Sequence, residues 1–198
     1  AKARAAIGGD AALDAVNSLH LFGSIEMTET PAGAEPPEKS KIEIIFQKPC
    51  HHRLVVTSAK SIDITGLVDY FAWRRVETEG ARARNIPMEI DQTRRLRANT
   101  WENLYFFHGV SQGRGEIVDQ GETVLDGVKA RKIAFRYGPG IEFTRYFNIA
   151  TGRLLLTETT VVGKIREEGE IKAGGILFPR KIVISSPEAV DGKLREIT

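Results

Sequence analysis

Apolar and polar residues alternate with a period of two over most of this chain, a pattern that predicts β-strands with one buried face. In the clearest case, KIEIIFQK, Ile42, Ile44 and Phe46 would share one face of a strand. The other predicted strands are LHLFGSIEMTE, HRLVVTS, SIDITG, LVDYFAWRRV, EIVDQGETVL, VKARKIAFRY, IEFTRYFN, RLLLTETTVV, IREEGEIKA, ILFPRKIVIS and KLREIT. Glycine-containing turns separate the later segments, so we expect an antiparallel meander of about ten short strands.

Two segments have helical character instead. The first, at the N-terminus, is rich in alanine; Gly8 and Gly9 interrupt it, and Asp10 is the expected N-cap of its second piece. Between the first two strands, PAGAEPPEKS predicts a loop because it is rich in proline, glycine and charge. Helices at these places and a large antiparallel sheet predict an α+β domain whose sheet curls rather than staying flat.

The second helical segment, MEIDQTRRLRANTWENLYFF, is the longest. At helical spacing, its apolar side contains Ile90, Ala98, Trp101, Leu104 and Tyr105, with Arg94 and Arg97 in the same stripe. Two interpretations remain open. In the first interpretation, the helix packs on the sheet and its arginines reach solvent at the margin of the contact. Alternatively, it is a lid over an apolar hollow, and the arginines bind acceptors near the rim.

Composition limits the classes of function. The chain has 198 residues, 41% of them hydrophobic and 27% charged, with a formal net charge of +2. These values predict a single globular domain over residues 1–198. The balanced charge gives no reason to expect a nucleic-acid partner. No apolar run approaches the roughly 20 residues of a membrane span, so we expect at most peripheral contact with membranes.

The segment KPCHHRLVVTS contains the chain's one cysteine and two of its four histidines. Neighbouring side chains of a strand point to opposite faces, so Cys50 and His52 could share a face while His51 points away. Two ligands are too few for zinc, which is usually held by three or four protein side chains. We therefore expect a strand that starts after Pro49, and no metal site.

Catalytic motifs are missing from the sequence. There is no G-x-S-x-G elbow, no S-x-x-K tetrad in a suitable frame, no phosphate loop and no dinucleotide fingerprint. No nucleophile and base can be paired, so a lipid hydrolase is the weakest hypothesis. We expect a protein that is not an enzyme and has no cofactor.

One segment is unusually basic. It contains Arg74, Arg75, Arg82, Arg84, Arg94, Arg95 and Arg97, interleaved with Glu77, Glu79, Glu89 and Asp91. The simplest interpretation is a solvated surface with local ion pairs. An anionic lipid head group or an acidic protein partner is the alternative.

The order of these elements resembles the LolA/LolB-like superfamily of bacterial outer-membrane lipoprotein-sorting proteins. The resemblance begins with the Gly-Gly-interrupted helix before SLHLFGSIEM, and continues with Lys48-Pro49 followed by Arg53. RLRANTWENLYFF is similar to a segment of an uncharacterised branch. YFNIATGRLLL, a charged hairpin and GGILFPRKIVIS follow in family order and are the most specific part.

The resemblance implies a strongly curved antiparallel sheet that forms an incomplete β-barrel, with helices covering its concave side. It implies a periplasmic or outer-membrane-associated carrier or acceptor that holds the acyl chain of a lipid or lipoprotein in an apolar hollow. The chain starts at Ala1-Lys2, which suggests that a signal peptide was removed. The competing hypothesis is a protein-binding or envelope-sensor module on the same scaffold.

Two positions depart from the family pattern. Lys48 stands where the family has an arginine that fastens the helical lid, and a lysine cannot reproduce the forked guanidinium contact. Asn148 stands where the family has an acidic residue before Thr-Gly.

The carrier hypothesis predicts specific site residues. Candidates for the lipid cavity are Ile42, Ile44, Phe46, Val68, Tyr70, Phe135, Phe143, Phe147 and Leu155. Candidates for the lid are Ile90, Arg94, Arg97, Trp101 and Leu104, with Lys48 as the residue that fastens it.

Overall fold

A computed structural model describes residues 1–27, 39–160, 163–185 and 194–197. The predicted Pro/Gly-rich loop lies almost wholly outside these ranges. Helix α1 is Lys2–Ile7, α2 is Asp10–Asp14 and α3 is Ile90–Leu104, followed by a 3-10 helix at Gly109–Gly113. None of the helices within the described ranges combines the length and the hydropathy needed to cross a membrane.

The long helix α3 begins with a capping box. The Glu89 side chain accepts a hydrogen bond from the third helical backbone N–H, and the Gln92 side chain accepts one from the Glu89 backbone N–H at 3.1 Å. These contacts satisfy donors that the first helical turn leaves without partners, so the helix begins at Ile90.

The strands extend over the rest of the chain. They are β1 Ser18–Met27, β2 Ser40–Gln47, β3 His51–Thr57, β4 Ser61–Val68, β5 Phe71–Thr78, β6 Ile86–Pro87, β7 Glu116–Leu125, β8 Val128–Gly138, β9 Ile141–Asn148, β10 Leu154–Thr159, β11 Gly163–Glu168, β12 Ile171–Ala173, β13 Ile176–Phe178, β14 Lys181–Ser185 and β15 Leu194–Ile197.

The fifteen described strands outnumber the twelve predicted segments because two of these segments each give two strands, and because β6 lies outside all of them. Gly169, at a positive φ of 64°, separates β11 from β12. Pro179, which has no N–H for a ladder, lies between β13 and β14. A turn at Asp69 and Tyr70 also interrupts LVDYFAWRRV, but its first two residues belong to β4, so no strand is added.

Thirteen of the described strands form one antiparallel sheet, in the order β6-β5-β4-β3-β2-β1-β15-β14-β11-β10-β9-β8-β7, and β12 and β13 form a separate hairpin. The pairing of β1 with β15 joins the N-terminal and C-terminal halves. The edge strands β6 and β7 are not paired with each other in the described part of the chain.

The sheet curves around α3. The buried core joins Leu67 and Ala72 from the N-terminal half of the sheet, Phe135 and Phe147 from the C-terminal half, and Trp101 from the helix. One helix can contact both halves of a sheet this wide only if the sheet bends around it. The described part of the chain therefore has an α+β fold with a curved antiparallel sheet and α3 on its concave side.

Candidate functional site

Three hollows that the described residues form lie beside the helices. The amino-terminal cavity, of about 400 Å³, lies between α1 and strands β7 to β9. Its lining comprises Ala1, Lys2, Ala3, Arg4, Phe107, His108, Ile117, Glu122, Arg131, Ile133, Phe135, Phe147, Asn148, Ile149 and Gly152. The floor is apolar, because Ile133, Phe135 and Phe147 project from the sheet towards the helix.

The central cavity is larger, at about 610 Å³, and lies between α1, the end of α3, the sheet and the β12–β13 hairpin. Its lining comprises Ala6, Ile7, Leu19, Leu21, Glu102, Asn103, Phe106, Phe107, Arg145, Arg153, Leu154, Glu167, Gly169, Glu170, Leu177, Phe178, Pro179 and Ile182. Most of these side chains are apolar, while several acids and two arginines supply polar groups.

Phe107 lines both cavities and therefore lies at the boundary between them. Its ring packs edge-on against Phe147 at 5.2 Å between centroids. The preceding ring, Phe106, packs in the other direction, against Phe178. Both residues have positive φ, 44° for Phe106 and 71° for Phe107, which is uncommon for bulky side chains. This conformation directs two consecutive aromatic rings into different clusters.

A buried ionic network connects α3 to the sheet beside the central cavity. The Arg145 guanidinium and the Tyr137 hydroxyl both donate to the Glu102 carboxylate. Arg145 also lies 4.9 Å from the ring centroids of Phe107 and Phe135. Burial raises the pKa of the Tyr137 hydroxyl, and the Glu102 charge raises it further. These contacts hold the concave face of β9 against the helix.

A second buried arginine connects the N-terminal helices to the end of α3. Arg4 is 2% exposed and donates to the carboxylates of Asp10 and Asp14. It also donates to the backbone oxygens of Tyr105 and Phe106, each at 3.1 Å. Arg4 also lines the amino-terminal cavity, so this side chain connects the wall of the cavity to the end of α3.

Glu167 projects into the central cavity from β11. Its side chain is exposed to solvent, although the surrounding protein still disfavours the charged form. This desolvation raises the pKa of the Glu167 carboxyl, and the nearby positive charge of Arg145 opposes the rise. The carboxyl is thus a polar group within a largely apolar lining.

The third hollow, the arginine cavity, has a volume of about 330 Å³ and lies by a different part of α3. Its lining comprises Tyr70, Arg94, Arg97, Ala98, Trp101, Gln112, Gly113, Arg114, Tyr137 and Ile141. Its described lining contains three arginines and no carboxylate, whereas the linings of the other two cavities include glutamates.

The structure brings several predicted cavity residues to the concave face. Phe135 and Phe147 line the amino-terminal cavity. Phe46 and Ile44 pair directly with Leu19 and Leu21, which line the central cavity, and directly paired residues share a face. Ile42 lies on the same face of β2 as Ile44 and Phe46, and Phe143 lies on the same face of β9 as Phe147. Neither Ile42 nor Phe143 lines any of the three cavities.

Three of the predicted cavity residues lie elsewhere. Val68 is 55% exposed on the opposite face, since its neighbour Leu67 takes the buried position. Tyr70 lies in the turn after β4 and contacts the arginine cavity instead. Leu155 falls at a bulge, and Leu154 beside it lines the central cavity. In each case a turn or bulge shifts the alternation that sequence reasoning extended along the strand.

The predicted lid residues divide in the same way. Trp101 and Leu104 are buried under α3, and Arg94 and Arg97 line the arginine cavity. Ile90 is 77% exposed because it is the first residue of the helix, beyond the edge of the core.

Lys48 lies beside the end of α3. Its ammonium donates to the backbone oxygen of Asp14 at 3.2 Å and lies 5.1 Å from the ring centroid of Tyr105. The Tyr105 hydroxyl in turn donates to the Pro49 backbone oxygen at 3.4 Å. Lysine at this position therefore contacts both α2 and the residue that follows α3.

The Cys-His segment forms the predicted strand, since β3 begins at His51. Cys50 and His52 are buried, and His51 points to the other face, 3.6 Å from the Asp69 carboxylate. Burial raises the pKa of the Cys50 thiol to about 11 and lowers the pKa of His52 to about 4. Within the described ranges, no group of three or more His, Cys, Asp or Glu side chains could hold a metal ion.

Sequence reasoning missed Arg4, Glu102 and Arg145. For Arg145 a signal existed, because it occupies a position of β9 with the same parity as Phe143 and Phe147. An arginine between two aromatic residues on a buried face implies a buried partner. Arg4 and Glu102 carry no such signal, since charged residues are common on short helices.

No protein-family model and no curated protein matches the sequence. Solved structures do match the fold. A LolA superfamily protein from Nitrosomonas europaea has a TM-score of 0.60 at 10% identity, covering 96% of this chain and 90% of that one. A DUF1329 family protein from Desulfovibrio piger has a TM-score of 0.59 at 12% identity, covering 93% and 84%.

A third match, from Vibrio parahaemolyticus, is a domain assigned as an outer membrane lipoprotein-sorting protein. Its TM-score is 0.54 at 8% identity, covering 92% of this chain and 82% of that one. These comparisons confirm the predicted resemblance at the level of the fold: the chain has the fold of LolA superfamily proteins.

Proposed function

We propose that this protein binds the acyl chain of a lipid or lipoprotein in the amino-terminal and central cavities, as a carrier or acceptor in the periplasm or at the outer membrane. The observation that carries the proposal is the pair of largely apolar cavities under α1, which meet at Phe107. Volumes of about 400 and 610 Å³ lie within the usual range of ligand sites.

An acyl chain suits this lining physically. It needs apolar area rather than directed hydrogen bonds, and each buried methylene contributes about 0.8 kcal/mol. A binding role of this kind requires no catalytic group. The edge strands β6 and β7 do not pair with each other in the described part of the chain, which supports an incomplete barrel. In such a barrel, helices cover the side that strand pairing leaves open.

The location rests on the fold. A domain of the same fold from Vibrio parahaemolyticus is assigned to outer membrane lipoprotein sorting, which supports an envelope location for this chain. No step of the proposed binding depends on a metal or cofactor.

The test places a bulky side chain from α1 into each cavity in turn. Ala3 lines the amino-terminal cavity and Ala6 the central one, while Ala5 on the same helix is exposed. We expect Ala3→Trp and Ala6→Trp to weaken uptake of a fluorescent fatty acid at least about tenfold, because the indole occupies the space of the chain. Ala5→Trp is the matched control and should bind as the parent does.

Native mass spectrometry of protein purified from cells supplies a second readout. An acyl lipid that co-purifies with the parent and with Ala5→Trp, but not with Ala6→Trp, would support the proposal. No co-purifying lipid together with no fatty-acid uptake would contradict it.

A protein-binding module is the second candidate, and one observation favours it. The β4–β5 hairpin exposes Val68, Tyr70 and Phe71, which are 55%, 77% and 58% exposed. Exposed apolar clusters of this kind often mark interaction sites. Val68→Asp and Phe71→Asp should then abolish capture of an envelope protein, whereas unchanged capture would count against this candidate.

A further inference from the structure

The acyl-binding proposal uses no part of the arginine cavity. Arg94 and Arg97 reach it from α3, and Arg114 reaches it from the end of the 3-10 helix. The described lining contains no aspartate or glutamate. Three cations that face one cavity of about 330 Å³ repel one another, and a bound anion would relieve that repulsion.

Arg97 is fixed between two aromatic rings. Its guanidinium carbon lies 3.9 Å from the ring centroid of Tyr70 and 4.7 Å from that of Trp101. Stacking restrains the guanidinium plane, and the N–H donors lie in that plane. The Nε atom is buried and has no hydrogen-bond partner in the described part of the chain.

Arg94 is only weakly engaged by a carboxylate. Its described ion pair is with Asp91 at 3.5 Å, and both side chains are substantially exposed. A Cβ at Gly138 would lie 3.1 Å from one Arg94 terminal nitrogen, so the guanidinium extends from α3 as far as the end of β8. This position keeps Arg94 at the edge of the arginine cavity.

Arg114 is placed at the rim by a close backbone approach. A Cβ at Gly113 would lie 2.9 Å from the Tyr137 ring and 3.0 Å from the Trp101 ring. Only glycine fits there, and the chain then turns through a positive φ of 53° at Arg114. The Arg114 side chain is exposed, and no described carboxylate forms an ion pair with it.

We propose that the arginine cavity binds the phosphate group of an anionic phosphate ester. A guanidinium fork matches phosphate oxygens with two parallel hydrogen bonds. A tetrahedral phosphate presents enough oxygens to engage three arginines at once, whereas a carboxylate presents only two. The source of the phosphate is either a soluble ester or a phospholipid head group.

This inference does not depend on the proposed acyl-binding function. The described lining of the arginine cavity shares no residue with that of the amino-terminal or central cavity. A variant that loses phosphate binding should therefore still take up a fluorescent fatty acid, and the two proposals can fail separately.

The test is calorimetric titration of the full chain with glycerol 3-phosphate. We expect Arg94→Gln and Arg114→Gln each to weaken binding about tenfold or more, since each removes charge-assisted hydrogen bonds. Arg97→Lys keeps the charge but loses the fork and should weaken binding as well. Arg84→Gln removes one charge from an exposed arginine outside the cavity lining and should bind as the parent does.

Vesicles distinguish the two sources. Binding of glycerol 3-phosphate without association to phosphatidic acid vesicles identifies a soluble ester, and association that Arg114→Gln abolishes identifies a lipid head group. The proposal is overturned if glycerol 3-phosphate gives no binding up to about 10 mM and vesicle association does not depend on Arg114. Equal weakening by Arg84→Gln, or equally tight binding of lactate, would overturn it too.

Discussion

Buried charged side chains hold this fold together at points where its faces are otherwise apolar. Arg145 projects from β9 among aromatic rings, and its charge is balanced by Glu102 on α3. At the N-terminal helices, the buried charge of Arg4 is balanced by the carboxylates of Asp10 and Asp14. Each such group is costly to bury alone, so the loss of one partner has a larger effect than the net contribution of the pair.

Replacing Arg145 tests this directly. Arg145→Met should lower the free energy of unfolding by about 3–5 kcal/mol, because it leaves the Glu102 carboxylate buried without its cation. The double variant Arg145→Met with Glu102→Gln should recover most of this loss, since glutamine is neutral and can still accept from Tyr137. Chemical denaturation measures both values, and a double variant as unstable as the sum of the single losses would contradict the pairing.

His52 predicts a specific acid dependence of stability. Its pKa is about 4 in the folded chain because of burial, against 6.5 when exposed. Between these values the unfolded chain binds more protons, so the free energy of unfolding decreases as the pH falls from 6.5 towards 4. The full effect is about 3 kcal/mol, since each pH unit between the two pKa values contributes about 1.4 kcal/mol.

His52→Phe should remove this component while keeping the ring stacked on Phe46, which lies 4.9 Å away between centroids. Denaturation curves at several pH values measure the slope. His51→Gln is the control, because His51 lies on the other face of the strand. A His52→Phe variant with the parent's acid slope would show that other groups cause it.

Helix α1 is the element that covers both apolar cavities, although it has only six residues. A helix this short is marginal by itself, and tertiary contacts must hold it. The two Arg4 hydrogen bonds to the end of α3 link it directly to the longest helix. Helices α1 and α3 are therefore expected to behave as one unit.

Weakening that link should release α1. Arg4→Lys keeps the charge but cannot reach two carboxylates and two backbone oxygens at once, so we expect a loss of about 2 kcal/mol in the free energy of unfolding. Hydrogen exchange of the α1 and α2 amides should accelerate more than exchange in β8 and β9. Arg114→Lys, on an exposed side chain, is the control. Unchanged exchange in α1 would argue against a holding role for Arg4.

The curved sheet encloses more space on its concave side than the core side chains fill. Helix α3 occupies part of the concave side, and the space left over forms the cavities. Empty apolar space forfeits packing contacts, so its occupation by a ligand should stabilise the fold.

A bound acyl chain should therefore raise the melting temperature. At a free ligand concentration of about 100 times Kd, the stabilisation is about 2.7 kcal/mol. For a chain of this length that corresponds to roughly 5–10 °C. Thermal denaturation with and without a long-chain fatty acid measures the shift, and Ala5→Trp should show it while Ala6→Trp should not. A shift that survives Ala6→Trp would place the ligand outside the central cavity.

The local sequence correctly predicted features that depend on a single strand or helix. The alternation of Ile42, Ile44 and Phe46 correctly placed all three on one face, and Gly8 and Gly9 correctly divided the N-terminal helix. The same reasoning misplaced Val68, because a turn at Asp69 and Tyr70 interrupts what looked like one strand. A single turn inverts every assignment beyond it, since the side-chain period of a strand is two.

The amino-acid sequence by itself determined the α+β class, the antiparallel strands and the apolar side of α3, since all of these depend on the spacing of neighbouring residues. Only the tertiary structure decided that Arg145 meets Glu102, that Arg4 reaches the end of α3, and that Arg94, Arg97 and Arg114 face one cavity. These residues are far apart in the chain, and the curvature of the sheet around α3 brings them together. No local pattern encodes that curvature, because it results from packing both halves of the sheet against one helix.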